Sequence, residues 1–145
     1  MNIPFHPQEA PHTCGPAAMR MALAALRIKR SEKALVNLLH TKKRSGTRHG
    51  AFPVVAERLK LQYIVCRHAA TADIQKLLKD GYIILTCFAP DYGHYIVVTA
   101  VTNKTILFHD PIEGPNQSGS IAEFIPLWHG TYNDREPGWF FGIKR

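Results

Sequence analysis

Apolar side chains near the start of the chain return every three or four residues. Between Ala17 and Ile28 the sequence is rich in alanine, methionine, leucine and arginine, which all favour helix formation. Pro16, just before this run, suits the first turn of a helix. The spacing therefore predicts an amphipathic helix with one core-facing stripe.

Further segments with helical periodicity follow, separated by turn residues. Polar residues that can cap a helix precede two of them, and glycine marks a turn after another. The predicted helices are 34–39 with Ser31 as N-cap, 52–61 with Val54, Val55 and Leu59 facing inward, 71–78 with Thr71 as N-cap and Gly81 beyond it, and 120–128.

The second half of the chain has the pattern of β-strands. Runs of β-branched and aromatic residues are separated by short turn sequences. The predicted strands are 62–66, 82–88, 94–101, 105–109 and 139–143. Helices come first and a run of antiparallel strands follows, which predicts an α+β fold whose N-terminal helical half packs on a C-terminal antiparallel sheet. With no repeat and no linker in sight, we expect a single domain over 1–145.

Charge narrows the functional classes only slightly. Lys and Arg number 18 against 11 Asp and Glu, a net charge of +7. Most cations are scattered, and the one cluster (Lys42, Lys43, Arg44 and Arg48) lies among serine and glycine and reads as a solvated loop. This disfavours nucleic-acid binding and leaves attraction to an acidic peptide or an anionic membrane surface as other uses. No apolar run is long enough to span a bilayer and no secretory signal is visible, so we expect a cytoplasmic chain without an integral membrane segment.

Three cysteines are present, at positions 14, 66 and 87. They are odd in number and far apart, which disfavours a disulfide framework or a zinc site. Cys66 and Cys87 lie in predicted strands and are expected to be small buried apolar residues. The spacing of His6, His12 and His109 relative to Cys14 matches no standard ligand pattern, so we expect no metal or cofactor.

Cys14 stands apart because it comes where the first helix should begin. The positive end of a helix dipole favours thiolate over thiol, and thiolate is the nucleophilic form. Gln8, six residues earlier, carries an amide that can donate to a developing oxyanion. A structural thiol at Cys14 is the alternative interpretation.

A thiol nucleophile needs a base, and the base needs an orienting group. His94 opens one predicted strand and Asp110 ends the next, so an antiparallel pairing would bring them together. Gly93 before the histidine would let a substrate backbone approach closely. The structural alternatives are a histidine at a strand end whose hydrogen bonds are made within the protein, and an aspartate that forms a turn before Pro111.

These local sequences resemble those of papain-like cysteine peptidases, and look most like the bacteriocin-processing family that removes double-glycine leaders. The similar segments are Gln-x5-Cys-Gly-Pro-Ala from Gln8 to Ala17, Gly-His-Tyr-Ile-Val-Val from Gly93 to Val98, and His-Asp-Pro from His109 to Pro111, with weaker likeness at 50–56 and 123–130.

The resemblance implies that Cys14 is the nucleophile, His94 the base and acid, Asp110 the orienting group and Gln8 the oxyanion donor. It also implies hydrolysis of a peptide or protein substrate and, through the family's best-known members, a peptide-export transporter as a partner. No transmembrane helix or ATP-binding motif is visible here, so we expect a stand-alone domain. Acyl transfer to an amine or thiol by the same residues, and a peptide-binding module that does not cleave, are the alternatives.

Overall fold

An antiparallel sheet of six strands, in the order β1-β8-β2-β3-β4-β5, forms the centre of the molecule. The computed structural model describes residues 2–89, 93–131 and 133–145. A separate two-stranded ribbon pairs β6 with β7. The strands are β1 (Gln62–Cys66), β2 (Ile83–Phe88), β3 (His94–Val101), β4 (Thr105–Asp110), β5 (Gly114–Ser120), β6 (Gly130–Thr131), β7 (Asp134–Arg135) and β8 (Phe140–Lys144).

Helices cover both faces of the large sheet. They are α1 (Cys14–Ala25), α2 (Glu32–Leu38), α3 (Ala51–Arg58), α4 (Thr71–Lys79) and α5 (Ile121–Leu127). The first three enclose one apolar core with one face of the sheet, and the last two enclose a second core on the other face. Along β3, Tyr95 and Val97 belong to the first core, whereas Ile96 and Val98 belong to the second. Burial on both faces explains why this strand is an almost unbroken apolar run.

The predicted α+β class is confirmed, and the first helix begins at the nucleophile candidate itself. Ser31 caps α2 as predicted, since its hydroxyl accepts a hydrogen bond from the N–H of Ala34 at 3.1 Å. The prediction of Thr71 as a cap is wrong. Ala70 is the N-cap of α4, and its N–H is bound at 2.8 Å by the carboxylate of Asp73.

The inward face of α3 also differs from the prediction. Val54 is 56% exposed, whereas Phe52, Val55 and Ala56 are buried. These three residues lie at positions i, i+3 and i+4, so they form one stripe and leave Val54 on the opposite side. Leu59 ends the helix half-buried against the same core.

Three strands were not predicted at all: β5, β6 and β7. The sequence of β5, Gly-Pro-Asn-Gln-Ser-Gly-Ser, has no apolar alternation, and it lies at the edge of the sheet where only one neighbour is needed. Cys87 is buried as expected, whereas Cys66 is only half-buried. No helix in the described ranges has both the length and the apolar character needed to span a bilayer.

Candidate active site

Cys14 is the first residue of α1, directly after its N-cap Thr13. The helix starts against the segment that carries Thr47, and a Cβ atom added to Gly15 would lie 2.8 Å from the Cβ of Thr47. Only glycine fits between them. The contact fixes the residue after Cys14, and the thiol is left half-buried rather than enclosed.

His94 and Asp110 meet at one end of the sheet, where β3 begins and β4 ends. His94 Nε2 lies 2.7 Å from Asp110 Oδ2. The other carboxylate oxygen accepts hydrogen bonds from the N–H groups of Ile112 at 2.8 Å and Glu113 at 3.2 Å. Asp110 is 2% exposed, so both of its oxygens are buried and both are used.

These hydrogen bonds keep the carboxyl group of Asp110 ionised. Burial by itself raises the pKa of the carboxyl group, but the bond with His94 and the two backbone N–H groups outweigh it, so the pKa lies below its ordinary value. An ionised carboxylate accepts the proton of Nε2–H, which leaves Nδ1 of His94 as the nitrogen that is available for a thiol.

The thiol of Cys14 experiences opposing effects. Burial, the largest of them, raises its pKa, and the carboxylate of Asp110 raises it further. The backbone N–H groups of Tyr95, Gly15 and Cys14 lower the pKa because they stabilise the negative sulfur, but the net shift is upward. The position at the helix N-terminus therefore does not by itself make the sulfur a thiolate. The N–H of Tyr95 also shows that the sulfur lies beside the residue that follows His94.

The side-chain amide of Gln8 points towards backbone carbonyl groups of its own N-terminal segment. Nε2 donates to the carbonyl of Ala10 at 2.8 Å and to that of Pro11 at 3.3 Å, and the buried Oε1 has no partner among the described residues. The backbone N–H of Gln8 donates to the carbonyl of Pro111 at 3.1 Å. This bond ties the N-terminal segment to the turn that follows Asp110.

A cleft of about 870 Å³ opens above Cys14. Three parts of the chain line it: the segment before α1, the basic loop, and the end of the sheet with its small ribbon. The lining residues are Ala10, Pro11, His12, Cys14, Lys43, Arg44, Ser45, Gly46, Thr47, Gly93, Tyr95, Thr131 and Asn133. The loop predicted to be merely solvated thus forms one wall of the cleft.

Gly93 is required by the chain's own packing. Its φ is +79°, and a Cβ there would lie 2.8 Å from the carbonyl oxygen of Gly130 and 2.9 Å from Cα of Thr131. The close approach expected of a substrate at this glycine is therefore made, in this structure, by β6. Residues 90–92, directly before this glycine, lie outside the described residues.

A buried polar network beside the cleft was missed by the sequence reasoning. His49 is 2% exposed and stacks on Trp139 with ring centroids 3.9 Å apart. Its Nδ1 lies 2.7 Å from the hydroxyl of Tyr95, which donates to the carbonyl of Thr47 at 2.7 Å. The N–H of His49 donates to a carboxylate oxygen of Asp134 at 2.7 Å. Flanked by Arg48 and Gly50, His49 resembles a loop residue in sequence, and only Tyr95 inside an apolar strand hinted at a buried polar partner.

The other histidines named in the sequence reasoning do not converge. His109 is buried, with Nε2 bound to the carbonyl of Ile3 at 2.9 Å and Nδ1 to the N–H of Asn116 at 3.1 Å, and it turns away from its neighbour Asp110. In the part of the chain that the structure describes, no three His, Cys, Asp or Glu side chains are grouped to hold a metal ion.

A half-buried thiol at a helix N-terminus, beside a sheet that carries a histidine–aspartate pair, defines the papain-like class of thiol enzymes. The chain belongs to the peptidase C39 family, whose pattern matches residues 2–132. It is a cysteine peptidase with the papain-like fold of that family.

Solved structures agree with this fold. The peptidase domain of Streptococcus ComA, a bi-functional ABC transporter involved in a quorum-sensing pathway, is 19% identical with a TM-score of 0.80, and the match covers 99% of this chain and 100% of that one. A putative C39-like peptidase from Bacillus anthracis is 13% identical (TM-score 0.79, coverage 99% and 95%). A double glycine motif protease from an AMS/PCAT transporter, solved with its leader peptide, is 16% identical (TM-score 0.72, coverage 99% and 93%). No protein with a curated description matches the chain.

Proposed function

We propose that this C39 peptidase cleaves the peptide bond after a double-glycine-type leader, with Cys14 as nucleophile, His94 as base and acid, Asp110 as orienting group and Gln8 as oxyanion donor. The observation that carries the proposal is the 2.7 Å bond between His94 and a buried, ionised Asp110, next to the segment whose N–H meets the Cys14 sulfur.

The first step is proton transfer from the thiol to His94. Asp110 holds Nε2, so Nδ1 receives the proton, and the resulting imidazolium lies within a few ångströms of an ionised carboxylate. Because burial raises the pKa of an isolated Cys14 thiol, the thiolate depends on this imidazolium rather than on the helix terminus alone. The sulfur then attacks the scissile carbonyl and a C–S bond forms.

The oxyanion that develops on the carbonyl needs donors. The backbone N–H of Cys14 is one, and Gln8 Nε2 is the other. An amide nitrogen has two N–H groups, and here the longer bond, 3.3 Å to Pro11, is the one that can be exchanged while the 2.8 Å bond to Ala10 is kept. His94 protonates the leaving amine, and water, deprotonated by the same imidazole, releases the acyl group from the sulfur.

Space beside the nucleophile favours a small residue before the scissile bond. Gly93 and the Cys14–Gly15 turn flank the cleft, and the backbone of Gly130 and Thr131 fills the room behind Gly93. A glycine of the substrate fits such a slot, and a branched side chain would overlap the chain. The double glycine motif protease of the AMS/PCAT transporter, which shares this fold, supports the same substrate class.

The proposed setting follows from the relatives. We place the chain in the cytoplasm as a single domain over 1–145 that acts on a peptide destined for export, with a peptide-export transporter as its partner. ComA and the AMS/PCAT protein are transporters that carry a domain of this fold.

The test is a matched set of peptides with Gly-Gly, Gly-Ala, Gly-Leu or Leu-Gly before the bond, with Cys14→Ala as the inactive control. Cleavage of the Gly-Gly peptide after its second glycine, and loss of cleavage when that glycine is replaced by leucine, is the expected result. Equal cleavage of all peptides, or none by an enzyme whose Cys14 reacts with a thiol alkylator, contradicts the leader specificity. An added amine that appears in the product would indicate acyl transfer instead of hydrolysis.

A further inference from the structure

The basic loop reaches the cleft as a tight hairpin. Reciprocal backbone hydrogen bonds join Lys42 and Gly46, at 3.0 Å and 2.9 Å, so that Lys43, Arg44 and Ser45 form its tip. Gly46 has a φ of +67°, which a residue with a side chain rarely adopts, and it closes the turn. All three tip residues line the cleft that contains Cys14.

Buried contacts hold this hairpin against the proposed catalytic elements. The hydroxyl groups of Thr41 and Thr47, at either side of the hairpin, lie 2.7 Å apart. The carbonyl of Thr47 accepts the bond from Tyr95, and the Thr47 side chain contacts Gly15, the residue after the nucleophile. The backbone of the tip is therefore fixed relative to Cys14, although the side chains of Lys43 and Arg44 are exposed.

The charge of the cleft is one-sided. Among the residues that the structure describes, its lining includes Lys43, Arg44 and His12 and no aspartate or glutamate. Within the described ranges 2–89, 93–131 and 133–145, neither Lys43 nor Arg44 forms an ion pair. Asp110, at the end of β4, is already bound to His94.

Three further cations, close together in space, have a different explanation. Arg27, Lys29 and Arg30 line a second groove, of about 810 Å³, at the C-terminal end of α1. Cations at that position complement the negative end of the helix dipole and need no ligand. Lys43 and Arg44 instead line the cleft that contains the nucleophile candidate, where a negative charge of a bound substrate can pair with them.

We propose that Lys43 and Arg44 form a subsite for a carboxylate side chain of the peptide substrate, within about three residues of the scissile bond. A cleft of this volume is roughly 10 Å across, which corresponds to about three extended residues. The inference rests on the proposed peptidase function and names its substrate more closely: a small residue at the bond and an Asp or Glu nearby.

The test measures binding apart from turnover. A labelled Gly-Gly peptide carries Glu either directly before the two glycines or at one of the three positions after the bond, and each version has a Gln counterpart. Binding of these peptides to the full chain with Cys14→Ala is followed by fluorescence anisotropy at low and high salt. At one or two adjacent positions, Glu should improve affinity about fivefold to tenfold over Gln, and added salt should remove most of the gain.

Charge reversal supplies the matched control. In the Cys14→Ala background, Lys43→Glu with Arg44→Glu should abolish the preference for Glu and create one for Lys at the same position. Lys33→Glu with Lys104→Glu changes the net charge equally at two exposed residues outside both grooves, and should leave the Glu preference intact. Melting curves establish that all variants are folded.

Two results would overturn the subsite: equal binding of Glu and Gln peptides at every position, or equal loss of preference in the two charge-reversal variants. The same peptides given to the wild-type enzyme test cleavage separately. Selective binding without cleavage would contradict the proposed hydrolysis but support the carboxylate subsite. Cleavage with no charge preference would support the proposed hydrolysis but contradict the subsite.

Discussion

Two histidine–aspartate pairs lie next to residues that line the cleft, and the two histidines differ in their exposure to solvent. His94 is joined to Asp110 at 2.7 Å, and its side chain remains 17% exposed. His49 Nδ1 is 3.8 Å from the carboxylate of Asp134, and its ring is enclosed between Tyr95 and Trp139. Solvent reaches the imidazole of His94, whereas Nε2 of His49 is buried and has no hydrogen-bond partner among the described residues.

This difference in exposure distinguishes a histidine that can transfer protons from one that supports the structure around the cleft. Burial lowers the pKa of His49, and the carboxylates of Asp134 and Glu136 only partly offset it, so this ring stays neutral. Since Tyr95 donates its only hydroxyl proton to Thr47, Nδ1 of His49 must be the donor to Tyr95. His49 thus organises the loop that forms one wall of the cleft, whereas His94 has the access that a base requires.

Replacing each histidine in turn should give opposite results, and this is the largest expected effect. His94→Ala should lower kcat by roughly a thousandfold or more while the melting temperature changes little, because the proposed mechanism uses this residue as base and acid. His49→Ala should cost about 2–4 kcal/mol of unfolding free energy, because it empties a packed, hydrogen-bonded site. Peptide cleavage and thermal unfolding, measured on both variants, check the prediction.

The double variant Cys14→Ala with His94→Ala serves as the control for a shared role. Its activity should be no lower than that of either single variant, because two residues that act as one unit do not lose activity additively. Additive losses would mean that one of them acts elsewhere, and a destabilised His94→Ala would assign that residue to support.

Thiol reactivity should differ by about a hundredfold between cysteines. Burial raises the pKa of Cys14, Cys66 and Cys87 alike, so only a thiol paired with an imidazolium should react quickly at neutral pH. Alkylation followed by mass mapping should therefore label Cys14 first. In His94→Ala the rate at Cys14 should fall to that of Cys66, and a Cys14 that stayed fast would place its activation in the helix terminus instead.

Asp110→Asn should lower kcat by about a hundredfold or more, because the imidazolium loses its counter-charge and the amide NH2 facing Nε2 favours the wrong tautomer of His94. The lowered pKa of Asp110 also makes a stability prediction. The ionised form contributes stability above the carboxyl group's unfolded pKa, and this contribution is lost as pH falls through the lower folded value. Unfolding free energy measured against pH should therefore fall less steeply under acid conditions in Asp110→Asn than in the wild type.

The smallest effect is expected for Tyr95→Phe. The change removes the hydroxyl that joins His49 to Thr47 and should cost about 1–3 kcal/mol, since both partners are buried. Because the basic hairpin loses one anchor, KM should rise severalfold with kcat nearly constant. A fall in kcat alone, with KM unchanged, would show that Tyr95 supports the nucleophile rather than the hairpin.

The sequence predicts the central strands and the meeting of His94 with Asp110 well, for a physical reason. Strands buried on both faces are continuous apolar runs, so their limits are visible in the sequence, and β3 agrees with its predicted limits. A short turn between two such strands brings the start of one to the end of the other. Local sequence patterns are therefore enough to predict a contact when the two strands that carry it follow one another along the chain.

The rest depends on contacts between distant parts of the chain. His49 is separated from Tyr95 by 46 residues and from Asp134 by 85, and its immediate neighbours give no sign of burial. The edge strand β5 pairs through its backbone, so its side chains carry no apolar signal. The raised pKa of Cys14 likewise could not be predicted from the sequence, because burial of the thiol depends on how α1 packs against β3.

The position of β8 between β1 and β2 determines when, during synthesis, this enzyme can complete its fold. During translation, both neighbours emerge from the ribosome well before residues 140–144 do, and until then the sheet has a gap in its middle. Phe141 and Ile143 of β8 belong to the core on which α1 packs, so that helix lacks part of its support in the nascent chain. A chain stalled before residue 140 therefore exposes Cys14 without a formed cleft, and the peptidase fold is complete only after residues 140–144 have been made.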